Sequence, residues 1–429
     1  MLECVLALVD KSLVIADETS AGARYRLLET MREFGTGNLA ENGRLEHYRE
    51  RHADHYAGYV LSRQPQLHGA GDQAALDDVL RELENIRVAL RHAADDHATS
   101  RFDELYAALY PLWIGHGRLT EGTAWAKELP GRASPDAAAR IVALGFAANV
   151  TNGFDIALGR AMAETAIEAA ASAGSRPALL GTAVYALGEM MQGRIPEAVA
   201  VCDRVFDSVH EEPAPFIAAE SLICANAVLT VCGVLDRVLQ LQPMMRELVA
   251  ASGSAYQLAS YDNSLAPVIH LIDPEHTGEY LERAYRRTRD IGNVHSLCTT
   301  TMFLGLHELR SGHLVPAAEW VAESLEIARD HSPAFLAACV NAAIATLKTP
   351  SPSGAAVLLG ALRVHRERAH QAGSPPEIYA EGRYETSLRR VLAEDFAART
   401  EEGARLDDSG MVAHALDQLR FVIAGGAQA

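Results

Sequence analysis

A glycine at the head of a helix-start motif returns about every forty residues, and that recurrence limits what this chain can fold into. Gly117-Arg118, Gly153-Phe154, Gly193-Arg194, Gly233-Val234, Gly312-His313 and Gly354-Ala355 stand 36, 40, 40, 79 and 42 residues apart, each between alanine- and leucine-rich segments. The 79-residue step is two periods, and its missing turn falls at Asp273-Pro274. One helical hairpin cannot bury its apolar face alone, so a period of this size predicts hairpins stacked into a solenoid. The pattern is clearest at 177–210. There Leu180, Val184, Leu187 and Met191 form one stripe, Gly193-Arg194-Ile195-Pro196-Glu197 turns the chain, and Ala198, Val201, Cys202, Val205 and Val209 continue the stripe. Pro196 is tolerated because it sits in a first helical turn.

Composition agrees with close-packed helices. Hydrophobic residues make up 49% of the chain, charged residues 22% and aromatics only 6%. The net charge of −18 is interrupted by no lysine- or arginine-rich run, which disfavours direct nucleic-acid binding. Six cysteines without a CxxC pair, a start without a basic leader and the lack of any apolar stretch of about 20 residues predict a cytoplasmic protein outside the membrane.

Ahead of the repeats the pattern changes. Residues 2–9 read as the end of a short helix. Ser12–Ala16 and Ala23–Leu27 read as strands joined by the turn Asp17–Gly22, and a helix follows from Leu28 to about Asn42. Helix, hairpin, helix is the closing portion of a winged-helix module, and the usual opening helices are expected to be missing. Further helices are predicted over Leu45–Tyr59 and Leu76–His92, with a loop from Ser62 to Asp72 between them. Lys348-Thr349-Pro350-Ser351-Pro352-Ser353-Gly354 reads as a linker, followed by helices at 355–371, 377–393 and 411–423 that cap the stack. The expected fold is all-α: a right-handed superhelical solenoid of TPR-like hairpins behind a small winged-helix remnant. Its divisions are 1–58, a partial winged module and connecting helix; 59–130, the first hairpins; 131–348, the repeats; and 349–429, the cap.

Three segments in order resemble a known family: Arg24-Tyr25-Arg26-Leu27-Leu28-Glu29-Thr30-Met31-Arg32-Glu33-Phe34, Arg51-His52-Ala53-Asp54-His55-Tyr56 and Glu82-Leu83-Glu84-Asn85-Ile86-Arg87-Val88-Ala89-Leu90. They are similar to the region after the nucleotide-binding domain in large actinobacterial LuxR/AfsR-type regulators of the STAND class. Ala355–Ala361, Tyr384-Glu385 and Glu402–Leu406 are similar to the segments that close the tetratricopeptide-like region of that family. The resemblance implies a sensor module that binds a protein partner or small effector on the solenoid's inner wall. Its ATPase or DNA-binding chain would be supplied in trans, because no GxxxxGK[ST] loop is found in this chain. Where relatives place a His-Asp pair to sense ADP, Leu28-Glu29 stands here, so no nucleotide cofactor is expected. A truncated regulator, half of a split gene and a remnant without function are all consistent with this pattern.

Candidate sites follow. Arg24, Tyr25, Glu29 and Arg32 are expected at an interdomain contact, and Tyr106, Tyr110, Trp113 and Trp125 around a ligand pocket. Arg283, Arg286 and Arg287, with Arg289, are a candidate anion patch, although interleaved Glu279 and Glu282 favour a solvated, ion-paired face. No catalytic residue, metal ligand or cofactor site is expected. His47, His52, His55, His92, His97 and Glu104 lack a closed ligand set, and Asp95-Asp96 and Asp407-Asp408 point apart as neighbours on a helix do. The competing class is a hydrolase built around Ser264, with Asp262 and His270 nearby.

Overall fold

In the computed structural model, which describes residues 2–19, 22–96, 99–132, 134–153, 155–331, 335–368 and 375–425, the chain is almost wholly helical. Its β structure, among the described residues, is one antiparallel hairpin. Val14–Thr19 pairs with Gly22–Leu27 in the register Val14 to Leu27 and Asp17 to Arg24. The expected turn tip, Ser20-Ala21, lies outside the described residues, as do His97, Phe154 and the side chain of His270.

Six helix pairs form the stack: Ala137–Asn152 with Ile156–Ala173, Leu179–Met191 with Ile195–Ser208, Pro215–Val231 with Leu235–Ser252, Ala255–Ile272 with Thr277–Asp290, Val294–Arg310 with Leu314–His331, and Leu336–Leu347 with Pro352–Arg368. First helices touch the first helices of the next pair, whereas second helices do so far less, which bends the stack toward the first-helix side. The expected turns appear at Gly193, Gly233 and Gly312, with φ of 79°, 76° and 84°. At each, the amide one residue further on donates to a carbonyl five residues back, as in Arg194 N to Glu189 O at 3.0 Å. This closes the helix end with a glycine in the left-handed region. The turn expected at Asp273-Pro274 is present between Ile272 and Thr277.

Two members of the glycine series behave differently. Gly153 ends its helix at φ −66°, in the ordinary helical region. Gly354 lies inside the Pro352–Arg368 helix, where a Cβ would strike the Gln418 side chain, so it serves a close approach rather than a turn. The expected linker is accordingly the turn of the sixth hairpin, and Ser351 is fully buried, its hydroxyl 2.6 Å from Gln418 Oε1. A division between 348 and 349 therefore cuts through a hairpin. The apolar packing divides instead around Val294–Arg310: one core runs from Ala57 to Leu304, and a second joins Cys298 to Val422.

Two further corrections concern helices. The helix expected over Leu76–His92 is two, Asp72–Arg81 and Leu83–Asp95, broken at Glu82 (φ −104°, ψ 11°), and the preceding loop contains the short helix Gln64–Leu67. The cap contains Pro375–Leu392, an unforeseen Asp395–Ala404, and Asp408–Ile423. Gly360 and Gly403 face each other where Pro352–Arg368 crosses Asp395–Ala404. A Cβ on Gly403 would run into the Val357 carbonyl and one on Gly360 into that of Thr400. The two closing segments named above thus meet at a glycine-mediated crossing.

The inner wall of the stack is occupied by the chain itself. The His68 ring stacks on Phe216 at 4.5 Å and meets the edge of Phe146 at 5.6 Å. Asp72 accepts from Ser254 Oγ at 2.7 Å and from the Tyr256 amide at 2.9 Å. Tyr110 stacks on Phe146 at 4.2 Å. The short helices between Gln64 and Gly115 therefore cover first helices of the first, third and fourth pairs. That is why Pro215–Val231 is buried on nearly every side.

Candidate functional site

The three family-like segments, far apart in sequence, converge on one carboxylate. Glu82 stands at the break between two helices, where its side chain is free of the helical ladder's direction. Its Oε1 lies 3.0 Å from Arg24 Nη2 on the hairpin, and its Oε2 accepts from Asn85 Nδ2 at 2.8 Å and from the Tyr56 hydroxyl at 3.3 Å. His52 Nε2 lies 3.4 Å from Asn85 Oδ1, and its ring packs 4.7 Å from that of Tyr56. The opposite nitrogen, His52 Nδ1, is shut off from solvent and has no partner. Burial and the Glu82 charge raise the Tyr56 phenol above its ordinary range, keeping it a donor. The arrangement is a polar junction that holds the hairpin module to the first helices of the body. Arg24 is half exposed, so its ion pair with Glu82 is worth about 1 kcal/mol or less.

Of the other residues expected at a contact, Glu29 and Arg32 pair with each other, at 2.5 Å on the open surface. Tyr25 is exposed, and it has company. Leu6, Leu8, Leu27, Leu28, Phe34 and Tyr48 are all exposed too, Phe34 by 66% and Leu27 by 51%. Among the described residues up to His52, Val14 alone is buried. The Glu29–Glu41 helix buries nothing.

The aromatic set closes on itself. Tyr106, Tyr110 and Trp113 are fully buried, Trp113 Nε1 donates to Tyr106 O at 3.2 Å, and Tyr106 donates to Gly122 O at 3.2 Å. The space expected for a ligand is filled by the rings. A cavity of about 10 Å³ beside them, lined by Asp72, Pro111, His116, Tyr256 and Asn293, has room for about one water. A shallow groove of about 430 Å³ lies on the outer surface, lined by Ser62, Arg63, Gln66, Gly71, Ala74, Ala75 and Asp78. An Arg63–Asp78 ion pair at 3.2 Å runs along it.

The arginine patch is compensated. Arg286 pairs with Glu282 at 3.0 Å, Arg287 with Asp262, and Arg283 lies 4.9 Å over the Tyr280 ring. Asp262 is thereby committed, and Ser264 donates its hydroxyl back to the Tyr261 carbonyl at 2.8 Å within its own helix. Serine and acid are not brought together. Asp54 pairs with Arg101 at 2.8 Å, and no cluster of metal-ligating side chains forms among the described residues. Asp407 caps the last helix through the Gly410 amide at 2.7 Å, and Asp408 pairs with His365 at 2.9 Å.

One polar centre had escaped sequence reasoning. Glu220, buried in the wall, accepts from the Tyr110 hydroxyl at 2.5 Å, the Tyr256 hydroxyl at 3.2 Å and, through Oε2, Gln257 Nε2 at 3.3 Å. Burial pushes its carboxyl up and these hydrogen bonds pull against that shift. The available signal was a single charged residue in the alanine- and leucine-rich run Pro215–Val231. This knot ties the aromatic segment to the stack.

Fold and junction together define a helical-repeat chain with a small hairpin module latched to one end. Sequence comparison agrees with a regulator-related chain. Over 128 residues, 29% of its length, it is 33% identical to a protein of Mycobacterium tuberculosis that carries the provisional name HTH-type transcriptional regulator. A Mycobacterium bovis protein of the same description matches equally. The matched stretch covers 14% of each of these relatives. No family model matches. No helix among the described residues is long and apolar enough to cross a membrane.

Proposed function

We propose that this chain is the non-catalytic sensor and protein-interaction module of a LuxR-type STAND transcriptional regulator. The observation that carries this reading is the contrast at the hairpin module. The junction at Glu82 holds it in place, yet it presents six large apolar or aromatic side chains to solvent and, among its described residues, buries only Val14. Large apolar side chains exposed together in one short module are what a protein contact site is built from. The occupant in this reading is the ATPase or DNA-binding part of the regulator. The partial identity with mycobacterial HTH-type regulators supports the class, and the commitment of Glu220, Asp262 and Ser264 to internal bonds supports a binding role over chemistry. Because the chain's own helices cover much of the inner wall, effector recognition is assigned to the Arg63–Asp78 groove on the outer surface.

Co-expression with a P-loop ATPase encoded beside this gene, followed by size-exclusion chromatography, tests the reading. A joint peak that disappears with Leu27→Glu and Phe34→Glu is expected. Separate elution of the unaltered chain, or a joint peak indifferent to both substitutions, overturns it.

A further inference from the structure

Cys298 and Cys339 sit one repeat apart on neighbouring inner helices, Val294–Arg310 and Leu336–Leu347, and their Sγ atoms are 3.7 Å apart. Both are fully buried in the second core, while Cys4 is exposed and Cys202 and Cys224 lie in the first core. Other neighbouring first helices meet through apolar, hydroxyl, amide and carboxylate side chains, as Glu220 meets Gln257. Here two thiols face each other across the contact, and Cys298 also lies 3.6 Å from the Ser324 carbonyl. The location matters: Val294–Arg310 is the helix around which the two cores divide. On its other side it meets the first core through polar groups. Thr299 and Thr300 both donate to Asn263 Oδ1, at 2.7 and 3.0 Å, and Asn293 Nδ2 lies 3.3 Å from Ser260 Oγ.

We propose that Cys298 and Cys339 form a dithiol that closes to a disulfide under peroxide and staples the boundary helix to the closing block. The chemistry balances with hydrogen peroxide as two-electron oxidant. One thiolate attacks the O–O bond to give a sulfenic acid and hydroxide, which takes up the proton that the thiol released, so that water leaves. The second sulfur then displaces the sulfenic hydroxyl, which leaves as water after taking the second thiol's proton. Two thiols and one peroxide become one disulfide and two waters. Contact with Cys339 and burial hold the Cys298 thiol protonated, so the closed protein reacts slowly. The staple thus records sustained oxidation rather than a brief pulse.

The test is peroxide titration of the folded protein, then alkylation in denaturant and peptide mapping. A linked Cys298–Cys339 peptide is expected, with Cys202 and Cys224 still alkylated. The melting temperature should rise on the order of 5 °C, because the bridge closes a loop of about forty residues in the unfolded chain. Cys298→Ser and Cys339→Ser should each abolish both the linked peptide and the rise. Full alkylation of both cysteines after treatment, a bridge from Cys298 to another cysteine, or a bridge formed only once the fold is lost would overturn the proposal. Mapping of the unaltered chain decides the matter even if a serine variant folds poorly.

Discussion

The hairpin module and the closing block sit at opposite ends of the chain, yet they are built to opposite rules. In the closing block, Leu388, Phe396, Met411, Val412, Leu416 and Leu419 are buried, and two glycines let helices touch backbone to backbone. In the module, a two-stranded hairpin and a helix that buries nothing are held by a half-exposed ion pair. Such a hairpin is marginal by itself. The comparison teaches that one chain can combine self-sufficient packing at one end with a dependent surface at the other.

The sharpest way to break this comparison is at the crossing. Gly403→Ala places a methyl group against the Val357 carbonyl, and neither backbone can yield without parting the helices. A loss on the order of 3–5 kcal/mol is expected in denaturant unfolding, since overpacking and backbone strain combine. An unchanged midpoint would show that the crossing is looser than the geometry requires.

Next in size is Glu220→Ala, which strips an acceptor from Tyr110, Tyr256 and Gln257 at once and should cost about 3 kcal/mol. Glu220→Gln keeps an acceptor oxygen and should cost far less. Their pH dependence differs too. The folded Glu220 carboxyl is raised, so its contribution is complete below the unfolded value and declines as pH rises through the folded one. The glutamine variant should lack that decline. His68 runs the other way. Desolvation lowers its imidazole to about 4, so its contribution is present above the unfolded value of 6.5 and lost as pH falls toward 4. At most about 3 kcal/mol is involved. Melting curves between pH 7 and 4 should therefore fall less steeply for His68→Phe, which keeps the stack on Phe216, than for the unaltered protein. Equal slopes would remove His68 from the acid response.

These sites also show what sequence could and could not reveal. The turns at Gly193, Gly233 and Gly312 were legible because a left-handed residue leaves a chemical mark. Gly354 misled because a glycine needed for close packing against Gln418 looks the same as one needed for a turn. The break at Glu82 was hidden, since Leu80, Leu83 and Ile86 keep helical spacing across it. Arg24 was singled out, but its partner could not be, because Arg24–Glu82 joins elements 58 residues apart. The filled inner wall was equally invisible. Nothing in periodicity says that His68 and Asp72 fold back onto Phe216 and Ser254.

The smallest expected effect tests the module itself. Phe34 and Leu27 touch water over more than half their surface, so Phe34→Glu with Leu27→Glu should shift the unfolding midpoint by less than about 0.5 kcal/mol. A comparable change in the closing block, Phe396→Glu, would bury a charge beside Arg389 and should be far more costly. Exchanging Arg24 and Glu82, as Arg24→Glu with Glu82→Arg, should likewise leave global stability nearly unchanged. Amide exchange across Val14–Leu27 should quicken in either single variant and return only part of the way in the double one, which restores the ion pair but not the bonds Glu82 accepts from Asn85 and Tyr56. The logic is local: a weak ion pair on a module without a core governs where the hairpin sits, not whether the stack folds. A large loss of global stability from the surface pair would mean that residues 2–41 are already part of the body, and that the exposed face is packing left incomplete rather than a surface awaiting a partner.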